Sequence, residues 1–233
     1  MIKMKYTIRP SLGLILLIMF TFAISGCTKG EARTWSDSMY TQYTHQTYTQ
    51  FDAFNQAINS KDIDEALLNA AIFYETNKQR AVQKFELLVF DSRLSKAAQD
   101  HSNDMVSRNF FSHTSPIASK KELIDRVKLE GISTSYVGEN IIQSFVIQIG
   151  EDPYYPPSTP GGDFTRADGS VIGMYTYSEF AAYLVGRWMN STGHRSNILD
   201  PKFTKLGCGS AFYFDTSSSH ALPSMKCTQC FSN

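Results

Sequence analysis

The chain has 233 residues, with 22 Lys and Arg against 22 Asp and Glu, so its formal net charge at neutral pH is zero. Without a basic excess to neutralise phosphates, the composition gives no support to nucleic-acid binding, and 42% apolar residues is the content of a folded core rather than a disordered chain. No internal repeat is visible, which excludes solenoids and propellers.

The first element is a targeting segment. Lys3, Lys5 and Arg9 precede an apolar run that ends in small residues and Cys27. This order of parts reads as a secretory signal. Its end, Ile24-Ser25-Gly26-Cys27, resembles the bacterial lipobox, in which the Cys is acylated and becomes the new N-terminus after cleavage. Residues 1–26 are therefore expected to be a lipoprotein signal peptide and Cys27 the lipidation site, which makes a membrane the first partner. Several acyl chains anchor stably where one binds only marginally. Losing three basic residues with the signal leaves a net charge of −3, so no nucleic-acid partner is expected. Thr28, in place of Asp, favours the outer membrane in a two-membrane organism. The expected location is extracytoplasmic, lipid-anchored to the cell envelope.

Residues 27–60 are rich in Thr, Gln, Ser and Tyr without a sustained apolar period, and read as the lipidated Cys and a tether. One domain, residues 61–233, follows. Ile63, Leu67, Ala70, Ala71 and Tyr74 have helical spacing that runs toward Arg80. Asp91 and Ser92 offer caps for a second helix, whose Leu94, Ala98, His101 and Met105 fall on one face. Ser119 to Glu122 form a capping box for a short helix that carries Leu123, Ile124 and Val127 and stops at Gly131. Residues 136–145 read as a strand. It leads into an insert at about 143–176 whose prolines and glycines argue against regular structure. With Tyr154, Tyr155 and Phe164, that insert is either a lid or partner surface, or a variable surface loop. Ser178 caps a helix carrying Phe180, Ala181, Leu184, Val185 and Trp188. Two β-prone runs after Pro201 make a C-terminal hairpin. Helices first and strands mostly last argue for an α+β sandwich rather than a parallel doubly wound sheet.

Cys208, Cys227 and Cys230 remain once Cys27 is lipidated. Outside the cytoplasm a disulfide is the default use of close thiols, so a Cys208 bridge to Cys227 or Cys230 is expected, with one thiol left over. On a strand the Cys227 and Cys230 side chains point to opposite faces and do not chelate one ion.

Three places break local rules. Phe110-Phe111-Ser112-His113 puts a His after an aromatic pair and just before a turn. Val137-Gly138-Glu139-Asn140-Ile141 sets a carboxylate and an amide among residues that favour burial. Gly193-His194, inside GRWMNSTGHRSNILD, sets a flexible residue before an imidazole. Two imidazoles and a carboxylate suit a divalent metal such as zinc, or general acid and base chemistry; singly, each is as well explained by structure.

These stretches together resemble one family. Asn77-Lys-Gln-Arg80, Phe90-Asp91, Ala97-Ala98-x-x-His101-Ser102, Phe110 to Pro116, Gly138-Glu139-Asn140-Ile141, Trp188 to Leu199 and Leu206-Gly207-x-Gly209 match, in order, the CAP superfamily of cysteine-rich secretory proteins, antigen 5 and pathogenesis-related proteins, in its bacterial secreted branch. The resemblance implies an α-β-α sandwich with a central, mainly antiparallel sheet flanked by helices, and a cleft holding two His and two Glu. His113 and His194 match the two His, the metal-ligand candidates, and Glu139 matches the Glu of Gly-Glu-Asn. The fourth position departs from the pattern. Ser191, or Asn190, stands where eukaryotic relatives carry Glu, and a serine is a poor zinc ligand and no base.

Asn140 and Asn197 are expected to fix backbone beside the cleft, Trp188 to fill the core, and His101 to be a satisfied core histidine. Arg195 is read either as an anion contact in the cleft or as the partner of a nearby acid. The expected function is a binding or interaction module whose cleft takes a divalent metal or small ligand, with an envelope protein as a further partner. The alternative is a zinc-dependent hydrolase acting on peptide, ester or cell wall, with Glu139 as the catalytic base. A Ser191 nucleophile with His194 as base lacks the elbow and oxyanion signature such chemistry needs.

Overall fold

The computed structural model describes residues 35–150, 153–157, 162–217 and 221–233; the signal segment and Cys27 lie outside them. Helix α1, Glu65–Val82, starts where the Asp64 carboxylate accepts the Leu67 amide. After the two-residue strand β1, Val89–Phe90, the Asp91 side chain caps α2, Ser92–Ser107. The short α3, Leu123–Leu129, begins one turn later than the sequence suggests: the reciprocal cap is Glu122 with Asp125, and Ser119 sits in a 3-10 turn. Strand β2 spans Val137–Phe145, and the small strands β3 and β4 are Tyr154–Tyr155 and Thr165–Arg166. Thr176, not Ser178, caps α4, Tyr177–Met189, in a box closed by Glu179. Then come α5, Thr192–Ile198, and the long hairpin β5, Lys205–Asp215, and β6, Leu222–Ser232.

The main sheet has strand order β1-β5-β6-β2, antiparallel except for the β1–β5 pair. Because successive residues alternate between faces, Glu139, Cys230 and Gly207 point to one side and Asn140, Gln229 and Cys208 to the other. Helices α2 and α3 cover the first side, and α1 and α4 the second, which makes the expected α-β-α sandwich. Helix α2 approaches β5 closely. A Cβ at Gly207 would lie 2.0 Å from the Ser95 nitrogen and one at Gly209 2.1 Å from the Gln99 nitrogen. With both faces covered, β6 is buried along its whole length, so its residues show no inside–outside alternation.

Three expectations are corrected. Residues 35–58, read as tether, are part of the domain: Trp35, Tyr48, Phe54 and Ile58 are buried in the main core. Trp35 packs edge-on to Tyr40, Phe54 and Tyr74, and the Tyr48 hydroxyl donates to Glu75 at 2.7 Å. Successive 3-10 turns bring these rings onto α1 without any helical or strand period for the sequence to reveal.

The insert is also structured. Ile147, Ile149, Phe164 and Ile172 close with Leu222 into a second small core, and β3 and β4 pair between prolines that sit outside the paired residues. Finally, Cys208, Cys227 and Cys230 are free, buried thiols. Cys208 stands opposite Gln229, so Cys227 is its diagonal neighbour, and Cys230, opposite Gly207, points to the other face. A diagonal pair of strand positions lies about 7–8 Å apart, beyond disulfide reach.

Candidate functional site

Strand β2 is an edge of the sheet, and the candidate residues gather along it. Glu139 projects to the α2/α3 side and is almost wholly buried. One carboxylate oxygen accepts from His113 Nδ1 at 2.8 Å, and the other accepts from Arg126 Nη2 at 2.6 Å. Since a carboxylate only accepts, His113 carries its proton on Nδ1, and Nε2 is left for the solvent side, where 55% of this side chain is exposed.

The loop that bears His113 is held from below. Arg126 also donates to the His113 carbonyl and to those of Lys120 and Lys121. His101 bonds the Ser112 carbonyl at 3.1 Å, so its proton is on Nε2, and its buried Nδ1 has no hydrogen-bond partner. Its Nε2 lies 4.0 Å from Glu139, and burial pushes its pKa below the ordinary value. Lys226, also buried, donates to the Met105 and Phe110 carbonyls at the end of α2. Arg126 and Lys226 were not singled out by the sequence reading: each sits in an ordinary amphipathic run, and only the fold shows that its charge is inside.

His194 arrives from the other side of β2, on α5. Asn140, fully buried, donates to the His194 carbonyl at 3.1 Å and to Gln229, which in turn donates to Thr76 of α1. Asn197 donates to the Asn140 amide oxygen and the Glu139 carbonyl, and Trp188 Nε1 donates to the Ile141 carbonyl at 3.2 Å. Buried Arg80 donates to the Ile198 and Asp200 carbonyls and fixes the far end of α5. A Cβ at Gly138 would meet the Phe203 ring at 2.8 Å, which accounts for the glycine of Gly-Glu-Asn. His194 is half-buried, and burial followed by the charge of nearby His113 holds its pKa below the ordinary imidazole value.

The structure thus brings His113, Glu139 and His194 to one edge, with Asn140 beneath them. Ser191 stands at the N-cap position of α5 without a side-chain capping bond. Arg195 turns away, donating to the Met189 carbonyl at the end of α4, and lines a shallow depression of about 480 Å³ with Tyr136, Asp200 and Lys202. The Glu179 carboxylate is used by the Thr176 amide in the α4 cap.

Zinc catalysis ordinarily uses three protein ligands. Both Glu139 oxygens are engaged, which leaves two imidazoles, and among the described residues no three His, Cys, Asp or Glu side chains converge on a point that could hold a metal. The donor set therefore does not fit a closed or catalytic zinc centre.

Residues 73–222 match the family model described as CAP, the cysteine-rich secretory protein family. The Bacillus subtilis protein YkwD is 34% identical over 134 residues, covering 58% of this chain and 38% of that protein. The membrane protein YlbC of the same organism is 29% identical over 136 residues, covering 58% of this chain and 29% of that protein. The chain thus spans well under half the length of these relatives. Among solved structures, an extracellular protein with an SCP domain from Bacillus anthracis is similar at a TM-score of 0.49 and 28% identity, covering 72% of this chain and 41% of that one. An outer surface protein of Borrelia burgdorferi is similar at a TM-score of 0.42 and 13% identity, covering 77% of this chain and 98% of that one. With most of the domain inside the family match and its motifs assembled along one sheet edge, the chain belongs to the CAP family of cysteine-rich secretory proteins.

Proposed function

We propose that the protein is an extracytoplasmic binding module, held at the membrane through lipid on Cys27, whose cleft takes a small polar ligand between His113 and His194. The observation that carries this reading is the full engagement of Glu139. With its oxygens bound to Arg126 and to His113 Nδ1, it is neither a free base nor a third metal ligand. It acts as an orienting group that holds the His113 Nε2 lone pair toward the open side, ready to accept a hydrogen bond from a ligand hydroxyl or amide. The signal and lipobox pattern at residues 1–27 supports the location, and the absence of a basic excess speaks against nucleic acid.

Calorimetric titration of the full chain in detergent with zinc, beside a folded His113→Ala, His194→Ala double variant, tests this reading. Weak zinc binding is expected, as two imidazoles give. A tight one-to-one complex lost in the double variant would overturn it and make the cleft a metal centre, the setting for the hydrolase alternative.

A further inference from the structure

We propose that the β1 side of the domain lies on the same bilayer that holds the acyl chains of Cys27, through an apolar patch at the α1–β1 turn. This inference rests on the lipid anchor proposed above. Val82, Leu87 and Val89 are 68%, 44% and 66% exposed, and they fall within eight residues of chain at one corner of the fold. Val89 belongs to the outermost strand of the sheet among the described residues.

The polar groups around the patch give it no net electrostatic pull. Exposed Lys84 and Glu86 balance each other, Asp37 in the adjoining groove is offset by Lys205 opposite Val89, and Lys78 is paired with Glu75. Attraction to a surface must then come from apolar burial, of the kind that seats side chains at the headgroup boundary.

The path of the chain names the occupant. The N-terminal segment runs beside this turn: Tyr40, Tyr43 and His45 form one wall of a groove of about 260 Å³ whose other wall is Leu87, Val89 and Phe90. The same segment reaches Val82 through His45, Tyr48 and Thr49. The described residues begin at Trp35, packed on Tyr40 and Tyr43, eight residues after Cys27. Eight residues span at most about 28 Å, so an anchored Cys27 keeps the N-terminal side, and the patch beside it, close to the bilayer. Strands β1 and β2 are opposite edges of the sheet, about 14 Å apart at the usual strand spacing. With β1 against the membrane, the edge that carries His113, Glu139 and His194 faces away from it.

The test uses the full-length lipoprotein, purified from membranes and reconstituted in vesicles of phosphatidylethanolamine and phosphatidylglycerol. A nitroxide is placed at Val89→Cys, at Leu87→Cys or, on α5, at exposed Ser196→Cys. Cys208, Cys227 and Cys230 are buried and take no label in the folded chain. Mass spectrometry of the N-terminal peptide first reports whether Cys27 is acylated. Nitroxides at positions 87 and 89 are expected to collide preferentially with dissolved oxygen, and the one at 196 with an aqueous nickel chelate. An acylated chain with all three nitroxides equally aqueous overturns the membrane-facing patch and leaves the anchor standing; an unacylated Cys27 overturns both.

Discussion

Glu139 and Arg126 show how one buried pair governs an exposed site. Removing Arg126 would leave a carboxylate inside the protein without its cation, so Arg126→Ala is expected to cost about 3–5 kcal/mol. Lys96→Ala, which breaks an exposed contact with Glu130, is expected to leave the urea midpoint nearly unchanged; urea unfolding of both variants checks the contrast. The two depressed imidazoles make the fold sensitive to acid. The unfolded chain takes up protons at His101 and His194 near pH 6.5, whereas the folded chain does so only at lower pH. Stability should therefore be full above about pH 6.5 and fall as pH drops through the folded values. His113→Ala, by removing the imidazole whose charge opposes protonation of His194, should raise the His194 pKa in an NMR titration. Of this candidate site, His113, Glu139 and His194 were reached in the sequence through the family resemblance, since each local break taken singly is as well explained by structure. Arg126 was not, since a cation in an amphipathic helix normally reaches solvent and only tertiary packing turns it inward.

At the level of elements, the long helices were readable from their periods and the final hairpin from its β-prone runs, while α5, β1 and the β3–β4 pair were not. Each of those is too short to show a period, and α5 opens with Thr and Gly, poor helix formers whose placement is decided by the Asn140 and Asn197 bonds instead. The glycines divide the same way. Gly209→Ala must push α2 off β5, and a loss of about 3 kcal/mol is expected, at the upper end for overpacking. Gly193 is expected from the sequence to lend the backbone freedom before His194, yet it lies within α5 with open space where a Cβ would go. Gly193→Ala should consequently raise the melting temperature, gaining about 0.5–1 kcal/mol.

For the whole molecule, the N-terminal segment decides where the domain begins. Trp35→Ala is expected to cost about 3–5 kcal/mol, as for other large core truncations. A chain starting at residue 61 would leave the aromatic face of α1 open, and it should show non-cooperative thermal melting by circular dichroism where the longer chain melts sharply. The opposite side of the molecule carries a different consequence. At β2 the outward carbonyls of Glu139 and Ile141 are already taken by Asn197 and Trp188. A sheet edge normally templates the addition of another strand, whether from a partner peptide or from a neighbouring copy. Here two side chains hold the places that such a strand would need, so the sheet does not lengthen along the edge that bears His113 and His194.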